Sequence, residues 1–154
     1  MLKRIAVLTS GGDSPGMNAC IRAVVRSAVS KGIETFGVMR GYDGLIDAEF
    51  NQMGLRSVSN IITQGGTVLK TARSERFRAK EGRQKAVNNL VKFAIDGLVV
   101  IGGNGSFCGA RLLQQMWDGN IIGVPGTIDN DLAGTDYTLG AATAVNTAIG
   151  AMDK

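Results

Sequence analysis

Histidine is absent from the 154 residues, cysteine occurs only twice and tryptophan once. Without an imidazole the chain cannot complete a typical zinc set. A small disulfide-stapled secreted domain would need more than two cysteines. Cys20 and Cys108 are each embedded in apolar, helix-like sequence and read as buried thiols. No apolar run approaches the ~20 residues that span a bilayer, so no membrane segment is expected. The start, MLKRIAVLTS, runs straight into a strand-like segment without a cleavage-site pattern, which makes the cytoplasm the expected address. Aromatic residues are also scarce, with two Tyr and five Phe beside the Trp. They do not interleave with basic residues as a base-stacking surface requires, so a nucleic-acid partner is not expected. The net charge of +4 comes from lysines and arginines scattered through 22–40 and 70–92, a pattern that suits small anions.

Glycine is abundant instead. Its 22 copies cluster as GGD, GYDG, GGT, GGNG and PGT, largely at the ends of apolar runs. Lys3–Thr9 reads as a buried strand, and Met17–Lys31 follows with helical spacing, closed by Gly32. Ile33–Met39 reads as a second, parallel strand; GYDGLID is expected as a loop, and the stretch to Met53 has no clear period. Val58–Ile62 is expected as a short helix, and Lys80–Phe93 as a longer one with Ala86, Val87, Leu90, Val91 and Ala94 on its apolar face. Gly97–Ile101 is the most apolar strand and therefore central, followed by a helix over Phe107–Met116. Ile121–Pro125 reads as a strand and Leu139–Met152 as a last helix. Alternating strands and helices imply an α/β fold, a parallel sheet covered on both faces, in one domain. The sequence stops at Lys154 just after an apolar helix, which reads as an incomplete domain with part of a sheet face uncovered.

In such sheets ligands bind at the carboxyl ends of strands, and here three strand ends carry glycine-rich loops. SGGDSPGMN follows the first strand: Gly11 and Gly12 permit close approach of a ligand, and the next helix offers unpaired N–H groups to an anion. A tight turn without a ligand explains this loop equally well taken alone. GGNGS repeats the device, with Gly102, Gly103 and Gly105 stripped of side chains and Ser106 supplying a hydroxyl. Two such loops on one sheet edge favour a phosphate site. PGTIDND adds acid groups: Asp129 and Asp131, two apart, point the same way in extended backbone. One carboxylate can take the proton of an attacking hydroxyl while the other holds a metal or orients the first; both could equally cap the turn. Arg73 is a candidate clamp for phosphoryl oxygens, with a solvated surface arginine as the alternative. Arg22 and Arg26, four apart, share one face of the first helix, suited to an anion or simply to water.

Taken together and in order, SGGDSPGMNACIR, GYDGL, GGTVLKTAR, GGNGS and PGTIDND resemble the phosphofructokinase family, specifically its bacterial ATP-dependent branch. The resemblance runs from Lys3 to Lys154. It implies the N-terminal, nucleotide-binding domain of a Rossmann-like kinase that moves the γ-phosphoryl group of Mg-ATP to the 1-hydroxyl of fructose 6-phosphate, yielding fructose 1,6-bisphosphate and ADP. By that match Gly12, Tyr42, Arg73, Ser74, Gly103, Asn104, Gly105 and Ser106 line the nucleotide site. Thr127, Ile128 and Asp129 meet the sugar phosphate; Asp129 is the general base, with Thr127 and Arg73 beside it in the catalytic set. Mg2+ falls to Asn104, Asp129 and Asp131, and an effector phosphate to Arg22 and Arg26. The resemblance also implies a homotetramer, whose sugar site draws on residues past Lys154 and on a neighbouring subunit.

Within that family Gly105 and Gly126 match the ATP-using pattern, whereas pyrophosphate users typically carry Asp and Lys there. Asn104 departs from the usual GGDGS, leaving a neutral amide where a carboxylate helps hold magnesium. Leu55 stands where the effector site usually has an arginine, which follows at Arg56. NAD and lipid kinases share a GGDGT-like loop but not PGTIDND or SGGDSPGMN. A silent nucleotide-sensing subunit is the alternative from another class.

Overall fold

The computed structural model describes residues 2–153, so the expectation tied to Lys154 as a domain end lies outside the described residues. The elements run β1 (Arg4–Thr9), α1 (Met17–Ser30), β2 (Glu34–Val38), α2 (Gly41–Asp47), β3 (Phe50–Met53), a 3₁₀ turn (Arg76–Arg78), α3 (Lys80–Lys92), β4 (Gly97–Gly102), α4 (Asn104–Gln114), β5 (Asn120–Thr127), β6 (Leu139–Gly140) and α5 (Ala141–Met152). The strands lie in the order β3-β2-β1-β4-β5-β6. β1 and β4 are thus central, as the apolar run Gly97–Ile101 requires, and their register places Ile5 between Thr35 and Gly97.

Alternation along the central strands builds two cores. Ala6, Leu8, Leu98 and Val100 face one side, where Tyr42, Leu45 and Ile46 of α2, Ala86, Val87 and Leu90 of α3, and Ala110 and Leu113 of α4 cover them. Val7 and Ile101 face the other, covered by Met17, Ile21 and Val25 of α1 together with Val58, Ile61 and Leu69. Helices therefore cover both faces over the middle of the sheet, and residues two apart on one strand serve the same core.

Several local expectations are corrected. GYDGLID is a helix, not a loop. Left-handed Arg40 (φ 54) and Ala48 (φ 60) bound it, and burial of Tyr42, Leu45 and Ile46 outweighs the weak propensity of a glycine-bearing heptapeptide. β3 is antiparallel to β2, so the sheet is not wholly parallel; residues 39–49 are too few for an ordinary parallel crossover. Val58–Ile62 forms turns, with Ser57 donating to Gly54 O and Ser59 to Arg56 O and Asn60 at φ 57. Val91, 65 % exposed, and Ala94, beyond the end of α3 at φ 52, do not belong to its apolar face.

Towards β5 the covering thins. Ile122 is 62 % exposed, and α5 buries only Ala141.

Candidate functional site

β1 leads outward to β2 and β3, while β4 begins the other half of the sheet, so the strand order reverses between β1 and β4. Loops diverge at such a point and leave a crevice at the carboxyl ends of the strands. A cleft of about 760 Å³ opens there. One wall is the first glycine loop (Ser10–Asp13) and the start of α4 (Gly103–Ser106); the others are Tyr42, the segment 73–78, and the acid loop from Gly126 to Asp131. Every residue the sequence assigned to the nucleotide, sugar and metal sites therefore borders one space. Arg22 and Arg26 do not. Arg22 Nη1 donates to Val58 O at 2.7 Å on the opposite core, and Arg26 is exposed on α1.

The wall made by the glycine loops and α4 is tied together by hydrogen bonds. α4 starts at Asn104 rather than at Phe107, and its N-cap is Gly103, with no side chain capping it and no acidic residue in its first turn. Its first N–H groups stay available to an anion, and the helix dipole favours negative charge there. Ser106 is not a free hydroxyl: its Oγ donates to Ser10 O at 2.9 Å and stitches the two glycine loops together. The Tyr42 hydroxyl in turn donates to Ser106 O at 2.6 Å. Burial, with a smaller contribution from Cys108, pushes the Tyr42 phenol above its ordinary range, so it remains a donor. Tyr42 stacks on Phe77 with ring centroids 4.0 Å apart, and Gly109 makes room for its ring, since a Cβ there would come within 2.9 Å. Phe77, Arg78, Cys108, Gly109 and Leu112 were missed by sequence reasoning; a helical projection of α4 from Asn104 would have placed Cys108 and Leu112 on one face, four apart. Cys108 is exposed in this cleft and Cys20 half-buried, which corrects the reading of both as buried. Cys108 sits on the cleft face of α4, whose opposite face carries Ala110 and Leu113 into the core.

Hydrogen bonding sorts the polar groups. Ser74 Oγ donates to Asp43 Oδ1 and accepts from Phe77 N, holding the segment in place. Arg76 pairs with Asp47, and Arg40 with Asp47 and Glu49, while Arg83 donates to Phe77 O and Arg78 O. Arg73 makes no such bond among the described residues and is exposed in the cleft, as is Arg78, which makes an exposed ion pair with Glu75 at 3.3 Å.

At the acid loop the geometric premise is corrected. β5 ends at Thr127, and Asn130 is left-handed at φ 49, so 129–131 is not extended; both aspartates nevertheless border the cleft. Among the described residues no group of three His, Cys, Asp or Glu side chains could hold a metal ion. Asp129, Asp131 and Asn104 border the same cleft, and two carboxylates with an amide oxygen are donors of the kind Mg2+ takes when phosphates and water complete its octahedron, so the residue types fit that ion. Gly105 has open space where a Cβ would project. Gly126 differs, because its Cβ would meet Ile101 Cγ2 at 2.9 Å. Its smallness has a packing cause as well.

An α/β domain with an anion-receptive cleft at its switch point is thus defined by fold and site. Comparison with known proteins gives the lineage. The phosphofructokinase pattern matches residues 4–154. Curated relatives named ATP-dependent 6-phosphofructokinase from Cytophaga hutchinsonii and Clostridium botulinum are each 58 % identical, covering 99 % of this chain and 47 % and 48 % of their own lengths. A phosphofructokinase structure from Saccharomyces cerevisiae matches 98 % of this chain and 24 % of its own, with a TM-score of 0.94 and 41 % identity. A pyrophosphate-dependent phosphofructokinase from Marinobacter aquaeolei shares the fold at a TM-score of 0.79 and 22 % identity, over 99 % of this chain and 42 % of its own. The chain belongs to the phosphofructokinase family, and it spans about half the length of the curated relatives it matches.

Proposed function

We propose that the chain is the nucleotide-binding part of an ATP-dependent 6-phosphofructokinase working in glycolysis, in the cytoplasm and as a homo-oligomer, a tetramer by resemblance. The observation that carries this reading is that Asp129 and Asp131 border the same cleft as two glycine-rich strand ends and an unengaged arginine. The 58 % identity to relatives of that name supports the donor. No helix among the described residues is long and apolar enough to cross a membrane.

In this mechanism the nucleotide phosphates lie against Gly11, Gly12 and the N-terminus of α4, beside Tyr42 and Ser74, where backbone N–H groups receive their charge. Asp129 takes the proton of the 1-hydroxyl of fructose 6-phosphate as that oxygen bonds to the γ-phosphorus. The bond from γ-phosphorus to the β,γ-bridging oxygen breaks, and ADP leaves with the electron pair. Thr127 and Ile128 border the sugar, and Arg73 steadies the charge on the transferring group. Magnesium, held by the nucleotide with Asp129, Asp131 and Asn104, would neutralise phosphate charge. Neutral Asn104 weakens that hold without removing it. Arg22 and Arg26 retain the effector role the resemblance assigns, outside the cleft.

The test offers ATP and pyrophosphate in parallel to the polypeptide as the cell makes it, with fructose 6-phosphate and magnesium. Fructose 1,6-bisphosphate formed with ATP and not with pyrophosphate is the expected result. Product from pyrophosphate alone would overturn the assignment of the donor, and none from either would overturn the reading as a whole.

A further inference from the structure

The catalytic end of the acid loop has little of its own to hold it. Among the described residues Asp129 makes one polar contact, its N–H on Thr127 Oγ1 at 3.2 Å, and residues 128–131 are all exposed. A segment with so few contacts opens easily unless something outside it fixes its path. What fixes it lies at residues 138–140. The Thr138 hydroxyl, in a residue only 5 % exposed, donates to Thr127 O at 2.7 Å, and the Thr138 N–H donates to Asn130 Oδ1 at 2.8 Å. Asn130 returns an N–H from Nδ2 to Asp136 O at 3.2 Å. Its left-handed backbone bends the loop back on itself between the two aspartates. The next two residues pair with β5, Leu139 opposite Gly126 and Gly140 opposite Thr127. Leu139 O accepts the buried Ser14 hydroxyl at 2.9 Å. Gly140 lies at φ 97 so close to Pro15 that a Cβ would overlap the Pro15 carbonyl.

We infer that Thr138 and Asn130 are positioning residues, and that residues 138–140 form a strap tying the acid loop to the segment Ser14–Pro15. That segment follows Gly11 and Gly12, which border the other side of the cleft. The strap fixes the distance between the phosphate-facing loop and Asp129, so the two sides of the cleft move as one body. The geometry stands by itself; its catalytic consequence rests on the kinase reading above.

The consequence is selective. In-line transfer is sensitive to displacement of the base by about 1 Å, which can cost up to ~100-fold in rate. Nucleotide affinity, set by the glycine loops and α4, does not depend on the strap.

The test compares wild type with Thr138→Val, which keeps shape and loses the hydroxyl, Thr138→Ser, which restores it, and Asn130→Gly, which keeps the left-handed backbone and loses the side-chain amide bonds to Asp136 and Thr138. Each is assayed as the polypeptide the cell makes. Thr138→Val should lower kcat about tenfold or more while KM for ATP stays within about twofold. Thr138→Ser should recover most of the loss. Amide hydrogen exchange in residues 127–131 should quicken in Thr138→Val and Asn130→Gly, while β4 keeps its protection. Should Thr138→Val fail to fold, Asn130→Gly decides by the same two readouts. Unchanged exchange, a Thr138→Ser variant as slow as Thr138→Val, or a KM for ATP that rises in step with the fall in kcat would each overturn the strap. A wild type without turnover would overturn the kinase reading, and the exchange data would still decide the geometry.

Discussion

The two sides of the cleft are built by different means. The β1–β4 side rests on packing: Val7, Leu8, Leu98, Val100 and Ile101 are buried beneath helices on both faces, and its glycine loops leave strands that cannot shift without opening a core. The β5–β6 side rests on polar ties. Ile122 is largely exposed, α5 buries one residue, and hydrogen bonds from Thr138, Asn130 and Ser14 hold the acid loop. On the proposed reading, anion binding sits on the packed side and proton transfer on the side held by a few hydrogen bonds. Damage to the first should appear as lost stability or affinity, and damage to the second as lost turnover.

Asp129→Asn sharpens that contrast most. Loss of the proposed base should cut kcat by about 10²–10⁴-fold with ATP affinity unchanged, read by steady-state kinetics beside calorimetric titration. Next come substitutions on the packed side. Leu8→Ala and Leu98→Ala should each lower unfolding free energy by about 2–5 kcal/mol in denaturant melts, whereas Val145→Ser on α5 of the same 154-residue chain should stay within about 0.5 kcal/mol. An equal cost at both places would break the comparison. Gly105→Asp should abolish ATP binding with little change in Tm, because its side chain enters open cleft; Gly126→Lys should lower Tm as well, through its clash with Ile101. Asn104→Asp should reduce the magnesium concentration at half-maximal ATP binding severalfold; no change would separate this residue from the metal.

The smallest effect concerns acid. Backbone N–H groups of Lys3 and Arg4 hold the Asp96 carboxyl below its usual range. A depressed carboxyl stabilises the fold above its unfolded value, and that contribution disappears as pH falls through its folded value. Asp96→Asn should therefore lower Tm slightly at pH 7 and approach wild type as the solution is acidified, as thermal melts over a falling pH series would show.

Much of the packed side was legible from sequence, because burial on a regular element leaves a period. Lys3–Thr9 and Gly97–Ile101 read as strands, and Met17–Lys31 as a helix with its glycine stop. α2 was not legible: Gly41–Asp47 has no period of its own and is helical because Tyr42, Leu45 and Ile46 find a sheet to cover. β3 depends on pairing with β2, and such pairing is absent from local sequence. In the site, the glycine loops and Asp129 were readable as neighbours at the strand ends, and they border one cleft. Thr138 was not, and Asn130 and Ser14, though inside PGTIDND and SGGDSPGMN, carry no mark of their role, since they act through partners as far as 125 positions away. Gly109 and Phe77 are explained only once Tyr42 is seen buried between α4 and the 3₁₀ turn.

The most direct test of the central claim is the fate of a phosphorus label. The protein is supplied with fructose 6-phosphate, magnesium and ATP labelled at the γ-position, and the products are resolved. Label should appear on the C1 phosphate of fructose 1,6-bisphosphate in proportion to ADP formed, with almost none there for Asp129→Asn. Label released as inorganic phosphate without labelled sugar, or undiminished transfer by Asp129→Asn, would contradict it.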